Sequence, residues 1–174
     1  MIDIRDLVFS YQGSKHQVFS HFDLQLEQGR IYGLLGKNGT GKSTLLYLIA
    51  GLLMPNSGSV SVDGIESKLR KPELLSQMFI VPEEYNMPDM SFDSLCTLMR
   101  SFYPTFSDEL LKQCLAEFEM PANPNLKELS MGQKKKVYMS IAIATGTRLL
   151  MMDEPTNGLD IPSKALFRRV IANY

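Results

Sequence analysis

This 174-residue sequence predicts an α/β fold. Three observations carry that expectation: two alternating apolar and polar runs at the start, a short apolar run that enters a glycine-rich turn and then a helical stretch, and a later helical segment followed by a second apolar run that ends in acids. With 44% hydrophobic and 21% charged residues, the chain has the balance of one globular domain with enough apolar mass for a core. Eighteen Lys plus Arg against nineteen Asp plus Glu leave a formal charge of -1. No global basic field therefore exists to hold a nucleic-acid backbone, and nucleic acid is not an expected partner. The longest apolar stretch, residues 45–54, is about half the ~20 residues needed to span a bilayer. Met1-Ile2-Asp3 opens no signal peptide, so a soluble chain is expected. Cys96 and Cys114 lie far apart, without a C-x-x-C spacing or a neighbouring His, and read as reduced core thiols.

In chain order, residues 2–8 and 22–26 alternate and read as antiparallel strands separated by the polar segment 12–17. The continuous apolar run Ile31-Tyr32-Gly33-Leu34-Leu35 reads as a buried strand, and residues 43–53 have helical periodicity. Met54-Pro55-Asn56-Ser57-Gly58 breaks that helix, and residues 59–62 alternate into the turn Asp63-Gly64, as a strand returning to the antiparallel part. A short helix over 72–77 and a strand over 78–81 follow. Residues 91–119 read as two amphipathic helices split by Tyr103-Pro104-Thr105-Phe106. There Ser107 is the N-cap, and Asp108 and Glu109 complement the first-turn dipole. A helix over 130–144, a buried strand over 149–152 and a helix over 162–172 complete the reading. No repeat or flexible linker is visible.

Gly36-Lys37-Asn38-Gly39-Thr40-Gly41-Lys42-Ser43-Thr44 matches G-x-x-x-x-G-K-[ST] between the expected strand and helix. Glycines at this spacing let successive main-chain N–H groups face inward around phosphate oxygens at a helix N-terminus. Lys42 is placed to neutralise β- and γ-phosphates, and Ser43 to put its hydroxyl on Mg2+. The second element is Leu149-Leu150-Met151-Met152-Asp153-Glu154, an apolar strand ending in two acids. Asp153 can reach a Mg2+ held by Ser43, and Glu154 can orient or deprotonate an attacking water. The third is Leu129-Ser130-Met131-Gly132-Gln133. On its own this is an S-x-x-Q capping box that needs no function.

Taken together and in this order, the three motifs resemble the ATP-binding subunits of ABC transporters, whose L-S-G-G-Q signature lies just ahead of the acidic strand. The resemblance extends from Met1 to Tyr174. It implies a P-loop NTPase parallel sheet with an N-terminal antiparallel β subdomain and an inserted helical subdomain. Residues 1–82 and 145–174 would form the ATPase core with the β subdomain, and 83–144 the helical subdomain and signature helix. It also implies an ATPase that uses ATP and Mg2+, and a head-to-tail dimer with a second ATP-binding subunit. Ser130, Gly132 and Gln133 would then contact the γ-phosphate bound by the other subunit's Lys42. Tyr11 stands where such subunits carry an aromatic that stacks on adenine, against the alternative of an edge-strand Tyr. Asn157-Gly158-Leu159-Asp160 resembles the loop that crosses the dimer interface, with Asp160 at its acidic position. Lys134, Lys135 and Lys136 add attraction for an anion or form a solvated helix face.

A separate transmembrane transporter subunit is implied as partner, with this chain peripheral on the cytoplasmic face of the membrane. Residues 91–118 and the Glu83 loop are the expected docking surface. Met87, Met90, Met99 and Phe102 serve there as adaptable contacts or pack within the insertion's own core. The segment 102–109 is similar to one in some exporter-type subunits, a cue to export.

The sequence departs from the family at three points. Met131 replaces the first glycine of the signature. Glu83 stands where the family has a Gln after the proline, and retains an acceptor oxygen for metal or water. The family continues past the helix after Asp160 into a strand carrying a histidine that contacts the γ-phosphate, whereas this sequence ends at Tyr174 and its histidines are His16 and His21, read as surface residues. A truncated chain is the expectation, with ATP binding intact and hydrolysis weak. Two other readings are a soluble ABC-type ATPase outside transport, and a module that senses ATP without efficient hydrolysis.

Overall fold

The alternation of the first residues produces β1 (Ile2–Ser10), which pairs antiparallel with β2 (Gln17–Leu26) on one side and β3 (Ser57–Val62) on the other. The computed structural model describes residues 1–84 and 86–173; Tyr85 and Tyr174, at which the sequence ends, lie outside the described residues. The chain divides into two compact units, Met1–Leu75 and Ser76–Tyr174.

In the first unit the sheet runs in the order β2-β1-β3-β4, with β4 (Ile65–Glu66) closing the turn at Asp63 and Gly64. Ile2, Ile4, Leu7 and Phe9 are buried. The step of three between Ile4 and Leu7 marks a register shift, where Asp6 takes a φ of +48°. An Asp6 carboxylate oxygen lies 2.5 Å from His21 Nδ1, within hydrogen-bond distance, and both His16 and His21 lie at the surface as expected. Helix α1 (Lys42–Ile49) packs on β3 through a face that buries Leu45, Leu48 and Ile49. It is shorter than the helix expected to residue 53. Gly51 stops it at a φ of +66°, where a Cβ would stand 2.3 Å from the Ser67 carbonyl oxygen, so only glycine fits the approach. Helix α2 (Pro72–Leu75) ends the unit.

Residues 31–35 correct the sequence reading. They form no strand, join neither sheet among the described residues, and expose Ile31 and Leu35 to 80% and 94%. An apolar run becomes a buried strand only when a neighbour completes its hydrogen-bond ladder. The edges of this unit's sheet are β2 and β4, and neither pairs with it.

The second unit contains β5 (Met78–Val81) and β6 (Leu149–Met152) in parallel register from Met78 opposite Leu149 to Val81 opposite Met152. The expected helix pair is α3 (Phe92–Phe102) and α4 (Asp108–Glu117), capped by Ser91 and Ser107 through bonds from the Ser94 and Leu110 amides. Arg100 joins them through Asp108. Helix α5 (Met131–Ala144) is buried over most of its C-terminal half and packs on α4 and β5, and α6 (Ile161–Asn173) packs on α4. One core gathers Phe79, Val81, Leu115, Phe118, Val137 and Ile143. Met87, Met90 and Met99 pack against this core, while Phe102 is exposed. Cys96 and Cys114 are free and buried, as expected, and burial pushes both thiols up to about 11.

Candidate functional site

In the first unit the phosphate loop keeps the geometry its sequence demands. Gly39 and Gly41 stand at φ of +82° and +94°. A Cβ on Gly41 would lie 2.6 Å from Val18 Cγ1 and 3.0 Å from Phe19 Cζ, so the turn passes too close to β2 for any other residue. Gly41 is the N-cap of α1 and offers no side-chain acceptor, and the first turn of α1 holds no acid. The helix thus begins with main-chain donors that no side chain caps.

Lys42 Nζ donates to the carbonyl oxygens of Gly36 at 2.9 Å and Lys37 at 3.2 Å, so its ammonium lies within the curve of the loop. The Thr40 hydroxyl also donates to the Lys37 oxygen, at 2.8 Å. Residues 36–40 are exposed, while Lys42 and Ser43 are half-buried. The buried Thr44 shares a 2.8 Å hydrogen bond with the Tyr11 hydroxyl, whose ring packs edge-on against Phe9. Tyr11 therefore stands beside the loop, half-exposed, through a bond the sequence did not reveal. Hard oxygen donors, uncapped amides and one ammonium form a set suited to a polyphosphate with its Mg2+.

In the second unit β6 delivers Asp153, 4% exposed, whose amide donates to the Val81 oxygen at 2.8 Å. Glu154 follows, exposed, at a φ of +44° that a non-glycine residue adopts only where its surroundings hold it. Asn157 Nδ2 donates to Glu83 Oε1 at 2.8 Å, which brings the Glu83 side chain to the acidic turn. Among the described residues, no three His, Cys, Asp or Glu side chains converge as a metal cluster.

Ser130 caps α5. Its hydroxyl accepts from the Gln133 amide at 3.3 Å, and Gln133 Oε1 accepts from the Ser130 amide at 2.9 Å. The S-x-x-Q capping box is thus formed, with open space where a side chain on Gly132 would project. Asp160 likewise caps a helix. Its Oδ1 accepts from the Ser163 amide at 2.8 Å, and the Ser163 hydroxyl and amide hold its carboxyl below the usual range.

Lys135 corrects the surface readings given to the lysine run. It is 6% exposed, and its ammonium donates to the main-chain oxygens of Glu154 at 3.2 Å and Asn157 at 2.8 Å. The available signal was spacing, since Lys135, Met139 and Ala142 recur on the buried face of one helix.

A glycine loop at an uncapped helix start, with its lysine turned inward, is the geometry of the phosphate-loop class. Residues 19–157 match the ABC transporter family, and the chain belongs to it. It is 33% identical over 161 residues to the ABC transporter ATP-binding protein YtrB of Bacillus subtilis (strain 168), covering 92% of this chain and 54% of that protein. It is 32% identical to the methionine import ATP-binding protein MetN of Carboxydothermus hydrogenoformans, over 99% of this chain and 54% of that one. Identity is 31% to the Nod factor export ATP-binding protein I of Cupriavidus metallidurans, over 87% and 52%. The chain spans about half the length of these relatives. A solved ABC transporter ATP-binding protein from Pyrococcus furiosus superposes with a TM-score of 0.80 at 25% identity, over 99% of this chain and 84% of that one. The dimeric bacterial ABC transporter cassette MJ0796 gives 0.82 at 24%, over 98% and 81%, a likeness of fold. No helix among the described residues is long and apolar enough to cross a membrane.

Proposed function

We propose that this chain binds and hydrolyses ATP as the energy-coupling part of a transporter, paired head to tail with a second ATP-binding subunit. The observation that carries the reading is the start of α1, where uncapped amides follow two left-handed glycines and Lys42 is held inside the loop. The main chain of residues 36–41 cradles the phosphates. Lys42 exchanges its two carbonyl acceptors for β- and γ-phosphate oxygens, with Thr44 and Tyr11 beside it. Tyr11 offers its half-exposed ring to adenine. In the first unit Ser43 would offer its hydroxyl to Mg2+, and in the second Asp153 and Glu83 would offer carboxylate oxygens to such an ion, whose charge neutralises phosphate oxygens. Glu154 takes the proton of a water whose oxygen bonds to the γ-phosphorus, while the bond to the β–γ bridging oxygen breaks and ADP departs.

At the dimer interface Ser130, Gly132 and Gln133 face the γ-phosphate of the second subunit. The open space at Gly132 supports this role, since the Met131 and Gly132 amides lie outside the two bonds of the capping box. Asp160 shapes the crossing loop. A separate transmembrane subunit docks on residues 91–118 and the Glu83 loop, where the exposure of Leu98 and Phe102 on α3 supports an apolar contact. That places the chain on the cytoplasmic face of the membrane. Export rests on the segment 102–109, and the relatives' names include both import and export.

Glu154→Gln tests the chemistry, because it keeps the shape and removes the base. The expected result is ATP binding within about twofold of wild type with turnover reduced roughly a hundredfold or more. Unchanged turnover removes Glu154 from the reaction.

A further inference from the structure

We infer that Lys135 is a positioning residue that fixes the acidic turn to the start of α5; as a role in catalysis this rests on the hydrolytic reading above. Its ammonium reaches two main-chain oxygens three residues apart, at Glu154 and Asn157, and so clamps the turn on both sides of Pro155 and Thr156. Each end of the clamped segment carries something that needs holding. Glu154 stands at a φ of +44°, and Asn157 holds the Glu83 carboxylate. Among the described residues, main-chain hydrogen bonds within the turn run from the Asn157 amide to the Glu154 oxygen at 3.0 Å and from the Leu159 amide to the Thr156 oxygen at 3.2 Å. Neither fixes the turn to the helix.

A lysine 6% exposed is costly to keep as a cation, and burial pulls its pKa below the usual lysine range while Glu83 and Glu154 pull it back up. The charge is therefore held by two carbonyls and favoured through space by the carboxylates of Glu83 and Glu154. Ser130 caps the same helix and Gln133 lies in its first turn, two residues before Lys135, so one ammonium makes the capping-box end of α5 and the Glu154 turn move as one piece.

Lys135→Met preserves length and apolar bulk, and an apolar replacement of a buried cation is often neutral for stability. The test is amide hydrogen exchange on the full chain, comparing wild type, Lys135→Met and Lys135→Arg. Exchange at Asn157 and Leu159 is expected to quicken about tenfold in Lys135→Met, with the β5–β6 ladder unchanged, and to return within about threefold of wild type in Lys135→Arg. In the same proteins kcat falls about tenfold in Lys135→Met, while the Kd for ATP stays within about twofold. Unchanged exchange at Asn157 and Leu159 overturns the inference. So does equal acceleration through β5 and β6, which marks Lys135 as packing, and so does an Arg variant that behaves like Met. A wild type that binds ATP without turnover contradicts the hydrolytic reading instead, and the exchange result still decides what Lys135 holds.

Discussion

Gly41 concentrates the requirements of the phosphate loop in one residue. Its φ of +94° excludes L side chains, and a Cβ would meet Val18 Cγ1 at 2.6 Å. Gly41→Ala is therefore expected to destabilise the first unit by about 1–3 kcal/mol and to weaken ATP binding by more than tenfold, read by thermal melting and calorimetry. An alanine variant with wild-type affinity contradicts the steric account. The loop itself was legible in the sequence because its chemistry is local. Nine consecutive residues specify the turn, the donors and the cation. Lys135 was not legible as a clamp, although its neighbours Lys134 and Lys136 are identical in type. What separates them is the face of α5 on which each sits and the turn that happens to lie against that face. The bond between Tyr11 and Thr44 joins positions 33 residues apart, and no local pattern announces it.

Helix ends show how far element-level signals reach. Ser107 and Ser130 were readable as N-caps because the acceptor and the amide it serves are three residues apart, a spacing visible in sequence. The end of α1 was misread because leucines continue to residue 53, while the stop comes from Gly51 fitting against Ser67. The cap of α6 has a pH signature. Ser163 holds the Asp160 carboxyl below its usual range, so the folded state binds a proton there less readily than the unfolded one. That contribution is fully present above the ordinary aspartate value of ~4, and is lost as the pH falls through the depressed folded value. Melting from pH 7 to pH 2 is expected to show Asp160→Ala less stable than wild type at neutral pH, with the two converging in acid. A gap that persists at pH 2 assigns the effect to something other than the charged cap.

At the scale of the molecule, the two sheets found among the described residues follow from hydrophobic period, and the pairing partners of each strand are what the sequence leaves unstated. Residues 2–8 and 78–81 are recognisable as strands in the sequence and have neighbours in the fold. Residues 31–35 carry an equally strong apolar signal and found none among the described residues, since ladder formation depends on distant segments rather than on the run itself. The acids after β6 and the loop before α1 were likewise legible separately, each from its own flanking strand or helix. The match to the ABC transporter family, over residues 19–157, includes both. The central claim is that residues 36–44 bind ATP, and titrating ATP with Mg2+ into wild type and Lys42→Ala, with light scattering recorded on each sample, tests it most directly. Removing a charge-assisted contact of about 2–3 kcal/mol predicts binding roughly a hundredfold weaker in the variant, with an ATP-dependent dimer formed by wild type alone. Equal affinity and equal scattering in the two proteins would contradict the account.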